Sequence, residues 1–195
     1  MIHCIYLAAG NSRRFGKNKL CEPFGSKLLY QHGLDKLSTA VKKYKNASLT
    51  VVSQYKEILD DTKKKGFLAV FGENSQKGIS YSIKSALESI PNLGTDDYIL
   101  FLVADQPYIS LNAILKLMNT VEEKPLCACT CYNDELYNPA LFSSRLMPEL
   151  RNLSGDCGGK KIIRNHLEDC VLVSFDSPKE TLDIDTSADL FRIPT

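Results

Sequence analysis

The stretch LAAGNSRRFGKNK, residues 7–19, gathers two glycines (Gly10, Gly16), two arginines (Arg13, Arg14) and two lysines (Lys17, Lys19) directly after an apolar run. Glycine lets backbone N–H groups turn inward as an anion nest, and fixed cations beside such a nest neutralise phosphate charge. Arg14 can fork two oxygens, whereas Lys19 acts as a point charge. Further on, YILFLVADQP runs an apolar segment straight into Asp105 and then Pro107. An aspartate at the carboxyl end of a buried strand is well placed to hold Mg²⁺, whose sites use one or two carboxylates plus phosphate oxygens. Together they point to chemistry on a nucleoside triphosphate. The plainer alternatives are a tight surface turn with solvated basic residues and a helix-capping acid.

Two familiar phosphate loops do not fit GNSRRFGKN. A Walker A loop needs four residues between its glycines and a hydroxyl after the lysine; here Gly10 and Gly16 lie one residue too far apart and Asn18 holds the hydroxyl position. The dinucleotide fingerprint fails because Ser12 occupies its second glycine position. A nucleophile elbow at Gly78–Ser82 is excluded in the same way, since Ser82 replaces the final glycine.

The stretch LAAGNSRRFGKNKL resembles the LAAGxSxRMGxxKL signature of the molybdenum cofactor cytidylyltransferase family, within the α/β nucleotidyltransferases. Gly10, Ser12, Arg14, Gly16 and Lys19 fall in register, with Phe15 in place of Met. The resemblance continues in order along the chain. NSQKGISYSIKSAL is similar to the family's GxSxSL segment through Gly78, Ser80 and Ser82, and Asp105 falls on its DxP element. LRNLSGDCGGKKII is similar to LxxLxGDxGAR, keeping Gly155, Asp156 and Gly158 but reading Gly159-Lys160 for Ala-Arg. NPALF stands where HPxLF is usual, and LDIDTSADL resembles DIDTPEDL, keeping Asp183, Asp185, Thr186 and Asp189.

The resemblance implies a Mg²⁺-dependent transfer of CMP from CTP to the phosphate of molybdenum-bound molybdopterin, giving molybdopterin cytosine dinucleotide and pyrophosphate. It assigns Arg14, Lys19 and Asp105 to catalysis and Asp105 with Asp185 to the metal. Leu7, Ala8, Ala9, Gly10, Ser12, Gly16, Gly78, Ser80 and Ser82 fall to the nucleotide, and Gly155, Asp156 and Gly158 to the acceptor. CTP rather than GTP follows from LAAG, where the guanylyl branch reads LAGG, so Ala9 is the discriminating residue. A recipient molybdenum enzyme is a further implied partner. Two alternatives stay open: a sugar-1-phosphate or polyol phosphate acceptor, although the loop lacks GxGTR, and a non-catalytic nucleotide-binding maturation factor.

These residues need a scaffold, and the apolar pattern supplies one. Buried strands are predicted at 2–8, 48–53, 67–71, 98–104, 126–132 and 170–175. Helical stripes run over 28–43, 78–90 and 110–121, the last with Ser110 as its N-cap. Strand and helix in alternation predict an α/β Rossmann-like, mostly parallel sheet with helices on both faces. The basic tracts 42–45 and 60–66 read as solvated helix ends. After 133 the pattern is irregular and predicts a segment that closes over one end of the sheet. The chain reads as one domain over 1–195, with a nucleotide part at about 1–107 and an acceptor part at about 108–195.

Composition agrees with a local rather than a global anion site. The 24 Lys and Arg against 23 Asp and Glu leave a formal charge of +1, which argues against a nucleic-acid or membrane-surface partner. The opening MIHCIYLAAG lacks a basic leader, and no segment reaches the roughly 18 apolar residues of a membrane span, so a soluble cytoplasmic protein is expected. The seven cysteines fit reduced thiols, with Cys127, Cys129 and Cys131 on one face of a strand; Cys157 falls inside the presumed acceptor loop.

Overall fold

The computed structural model describes residues 1–11 and 15–191. Its centre is a seven-stranded sheet in which β1 (Ile2–Leu7) pairs in parallel with β4 (Ala47–Ser53) on one side and β6 (Tyr98–Val103) on the other. The short β2 (Pro23–Phe24) and β3 (Lys27–Leu28) form a separate hairpin. Beyond β4 lies the parallel edge strand β5 (Leu68–Phe71), and beyond β6 lie β8 (Glu135–Ser143), β7 (Cys127–Tyr132) and β9 (Cys170–Ser174). Only β8 runs against the others in this sheet, antiparallel to both β6 and β7.

The continuous apolar strands are explained by burial on both sides. Successive residues alternate faces, so Tyr6, Leu100 and Leu102 pack with α1 (Leu29–Lys43), α2 (Lys56–Lys64) and α4 (Leu111–Asn119). Ile5, Ile99 and Phe101 pack on the other face with α3 (Ile79–Glu88), α5 (Met147–Arg151) and α6 (Lys160–Asn165). The basic residues Lys42 and Lys43, and Lys63 and Lys64, close α1 and α2 as helix-dipole complements. Among the described residues no helix is long and apolar enough to cross a membrane.

The region after 133 departs from expectation, because β8 is an interior strand rather than a cover. The turn that reverses the chain is Asn133-Asp134, both at positive φ, and Pro139 falls inside the strand that follows. Pro inside a segment argues against a central strand. Here the pairing accommodates it through a register shift between Cys129 and Thr130.

Strand order also fixes where chemistry can occur. From β1 the chain steps outward through β4 to β5 and then returns to β6 on the other side of β1. Open α/β sheets bind ligands in the crevice at such a reversal, at the carboxyl ends of the strands. The last part of the chain returns to this edge and is held there by Glu180, which is 4% exposed. Its Oε1 accepts from Ser110 N–H at 3.0 Å, and its Oε2 accepts from Asp176 and Ser177 N–H at 3.0 and 3.2 Å. The Glu180 carboxylate therefore ties the C-terminal arm to the start of α4, where Ser110 Oγ also accepts from Ala113 N–H at 3.0 Å. Replacing Glu180 with Ala leaves those N–H groups unsatisfied and should lower stability by about 2–4 kcal/mol. A shifted urea midpoint with an unchanged slope is the expected result; an unchanged midpoint would remove this anchoring role.

Candidate active site

The loop after β1 is fastened to its neighbour strand. Leu7, Ala8 and Ala9 are buried while Gly10 is exposed, so the chain leaves the core within one residue. Ser53 Oγ donates to Ala8 O at 2.7 Å, Gln54 Nε2 to Ala9 O at 2.7 Å, and Tyr55 OH to Gly10 O at 2.7 Å. On the other flank Asn11 Nδ2 donates to Gln76 O at 2.7 Å. The carbonyls of the loop are thus held by the end of β4. Gly16 turns the chain at φ +75, a conformation other residues rarely adopt. Ser12 and Arg14 lie outside the described residues.

Across the crevice Lys19 brings together the two acids singled out in the sequence. Its Nζ donates to Asp105 Oδ2 at 3.0 Å, to Asp185 Oδ1 at 3.2 Å and to the carbonyl of Ile184 at 2.6 Å. The lysine side chain is 8% exposed, against 28% for Asp105 and 44% for Asp185. Burial alone would favour the neutral amine, but Asp105 and then Asp185 outweigh it and hold the lysine above its usual pKa. Asp183, on the same arm, is pushed up to about 6, by desolvation first and then by the charge of Asp105. Asp189 keeps the arm in shape by accepting from Asp185 N–H at 3.1 Å and Thr186 N–H at 2.7 Å.

This arrangement fits a hard divalent cation. The Lys19 ammonium marks a point that two carboxylates and a backbone carbonyl already face, and such oxygen donors suit Mg²⁺ or Mn²⁺. The neighbouring Gln106 is 2% exposed, and its Oε1 has no partner among the described residues.

A cleft of about 170 Å³ opens between these groups, lined by Leu7, Ala9, Gly10, Lys19 and Asp105 on one side and Ser75, Gly78, Ser82 and Asp156 on the other. Ser82 Oγ donates to Ser75 Oγ at 2.8 Å, whereas Ser80 is fully buried and its Oγ meets no partner among the described residues. Gly78 joins two sequence-distant segments. At φ +134 it abuts Gly155, and a Cβ there would lie 2.3 Å from the Gly155 carbonyl and 2.8 Å from Asp156 N. Ser80 N–H donates to Gly155 O at 3.2 Å across the same contact.

Beyond it a second hollow of about 470 Å³ shares Leu7, Ile79, Val103 and Asp156 with the cleft. Phe101 and Phe142 form an apolar floor; Asn138, Cys157, Lys160, Lys161 and Arg164 line the remainder. Gly158 lines the hollow too, and Gly159 packs against Phe142, where a Cβ would meet the ring at 2.5 Å. The substitution of Gly for the family's Ala therefore goes with close ring packing. Sequence reasoning missed Gln54 and Tyr55, whose only signal was their place at the end of the strand beside β1.

A family model described as the MobA-like NTP transferase domain matches residues 4–170. The chain belongs to that family, and it is a nucleotidyltransferase of the MobA-like type. It is 29% identical over 170 residues to the purine catabolism protein PucB of Bacillus subtilis (strain 168), covering 83% of this chain and 80% of that protein. It is 28% identical over 156 residues to the molybdenum cofactor guanylyltransferase of Histophilus somni (strain 2336), covering 77% and 73%. Among solved structures, Rv0371C of Mycobacterium tuberculosis H37Rv in complex with manganese superimposes with a TM-score of 0.76 at 23% identity, covering 98% of this chain and 96% of that one.

The Gly78–Gly155 contact generates a direct test. A Gly78→Ala chain must part the two loops or strain its backbone, so affinity for the nucleoside triphosphate should fall at least about tenfold while the far side of the sheet stays folded. Titration of wild type and variant with CTP and with GTP, alongside thermal melts, checks this; wild-type affinity in the variant would show that the contact does not shape the cleft.

Proposed function

We propose that this MobA-like nucleotidyltransferase moves CMP from CTP to the phosphate of a molybdopterin-type acceptor, releasing pyrophosphate. The observation that carries the reading is the Lys19–Asp105–Asp185 cluster, of which Lys19 and Asp105 line a cleft bounded by the glycine loop. In this reading Asp105 and Asp185 hold Mg²⁺, which when bound neutralises triphosphate charge and polarises the reacting phosphorus. The manganese complex formed by Rv0371C supports a divalent ion in this fold.

The chain's own groups position and discharge. The loop from Leu7 to Gly16, with Arg14 and Lys19, cradles the phosphates; Gly78 and Ser82 border the nucleoside, with Ser80 buried behind them. The acceptor occupies the neighbouring hollow beside Gly155, Asp156 and Gly158, where Lys160, Lys161 and Arg164 suit a phosphate-bearing ligand. An acceptor phosphate is already an anionic nucleophile, so no protein base and no covalent enzyme intermediate are required. Its oxygen attacks the α-phosphorus in line as the bond to pyrophosphate breaks, and rate comes from alignment and electrostatics. The nucleotide part spans about 1–107 and the acceptor part about 108–195.

CTP is favoured by Ala9, which lines the cleft where the guanylyl branch has glycine. A single methyl is worth about 1–3 kcal/mol of discrimination. The Histophilus relative, a guanylyltransferase by name, supports GTP instead. The two donors are separated by incubating the protein with Mg²⁺, molybdopterin-loaded extract and either CTP or GTP. Pyrophosphate and cytosine dinucleotide with CTP alone are expected. Turnover with GTP alone would overturn the donor, and turnover only with sugar or polyol phosphates would overturn the acceptor.

Asp105→Asn should reduce turnover by about a hundredfold or more with the fold retained. Near-normal pyrophosphate release from that variant would sink the metal assignment. EDTA should abolish release from the wild type and added Mg²⁺ restore it.

A further inference from the structure

We infer that the hollow at the opposite edge of the sheet is a second ligand site, and that it takes a small aromatic anion. It opens where β1 and β6 begin and β8 ends, at the far end of the strands from Lys19 and Asp105. Its volume of about 470 Å³ exceeds the 170 Å³ of the catalytic cleft. That size lies within the span of about 300–1,000 Å³ usual for small-molecule sites.

Its lining is mixed, with Ile2, Tyr44, Tyr98 and Val121 forming an apolar part and polar and charged residues, Lys124 and Arg145 among them, beside it. Ile2, Tyr98 and Ser143 are buried, at 2%, 7% and 3% exposure, and half-buried Tyr44 and Val121 flank them. Both phenols are fixed from outside: Tyr98 OH donates to Pro125 O at 3.1 Å and Tyr44 OH to Met118 O at 3.3 Å. The two rings are thereby rigid walls, the kind of surface on which a planar ring packs.

Charge at the mouth selects the ligand. Arg145 and Lys124 both line the hollow, and neither has a carboxylate within ion-pair distance among the described residues. Arg145 Nε donates to Ser143 Oγ at 3.3 Å, which steadies the guanidinium and leaves its terminal nitrogens for an acceptor. Lys124 is held at φ 51 with its N–H on Val121 O, a conformation uncommon outside glycine. One acid, Asp96, shares the lining. The next residue, Asp97, is engaged by the Met1 amine at 2.7 Å and His3 at 3.2 Å, so its charge is compensated. Two cations against one acid suit a ligand of one or two negative charges and disfavour a triphosphate. An arginine fork binds either a carboxylate or a phosphate monoester.

The test is saturation-transfer NMR with benzoate, phenyl phosphate, neutral benzyl alcohol and inorganic phosphate, each with and without saturating CTP and Mg²⁺. Benzoate or phenyl phosphate should bind, benzyl alcohol and inorganic phosphate more weakly. The paired variant Arg145→Ala with Lys124→Ala should weaken the ring-bearing anions by about tenfold. Tyr44→Ala, which removes a wall without touching the charges, should weaken them as well. Thermal melts confirm that both variants fold. Absence of binding at millimolar ligand, binding unchanged in both folded variants, displacement by CTP, or inorganic phosphate binding as well as phenyl phosphate would each overturn the proposal. Because the readout is binding and the substituted residues lie outside the catalytic cleft, the result is independent of which nucleotide or acceptor the enzyme uses.

Discussion

The Lys19 ammonium, set between Asp105 and Asp185, is the interaction on which the crevice at the carboxyl ends of the strands depends. It joins three pieces of chain that are far apart in sequence: the turn after the glycine loop, the end of β6 and the C-terminal arm. Two carboxylates facing one point repel each other, and a compensating charge is what makes the arrangement tolerable. Lys19 supplies it from the protein side, at 8% exposure, while the acids stay open enough to solvent to accept another cation. An ion pair at this depth contributes little to net stability, because desolvation offsets the attraction. Its value is positional: it keeps the two carboxylates aimed at one place.

The scaffold explains why the ammonium can reach both acids. β1 and β6 are adjacent and parallel, so the loop after one and the aspartate after the other emerge side by side. The arm bearing Asp185 is not part of the sheet and must be brought back. Glu180 does so through three backbone N–H groups, and Ile184 N–H closes the contact on Asp105 O at 2.9 Å. Stability and chemistry thus meet in a buried carboxylate that touches neither the loop nor the cleft.

Much of this was legible in the sequence, for reasons that can be stated. Strands buried on both faces give uninterrupted apolar runs, and all six predicted strands are present within a residue or two. β8 was not legible because its apolar half, residues 139–143, begins with a proline and its other half is polar; the Asn133-Asp134 turn was the one clear hairpin signal. Asp105 was legible as an acid ending an apolar run and Asp185 only through the resemblance of LDIDTSADL to DIDTPEDL, but their meeting at Lys19 is a three-dimensional fact that no spacing encodes. The same holds for Gln54 and Tyr55, which matter only because β4 lies next to β1. Ser80 shows the converse, a hydroxyl picked out by pattern that the fold buries completely.

The contact between Gly78 and Gly155 carries the last step. The cleft and the hollow beside it share Leu7, Ile79, Val103 and Asp156, so they are two chambers of one crevice rather than separate pockets. An in-line displacement needs its nucleophile and leaving group on opposite sides of one phosphorus, which requires two substrates held in fixed relation. Here the segment bordering one chamber and the segment bordering the other touch backbone to backbone, with no side chain between them to yield. A displacement of one loop is therefore passed to the other without slack. In a reaction whose rate rests on alignment, that absence of slack is the property the two glycines provide.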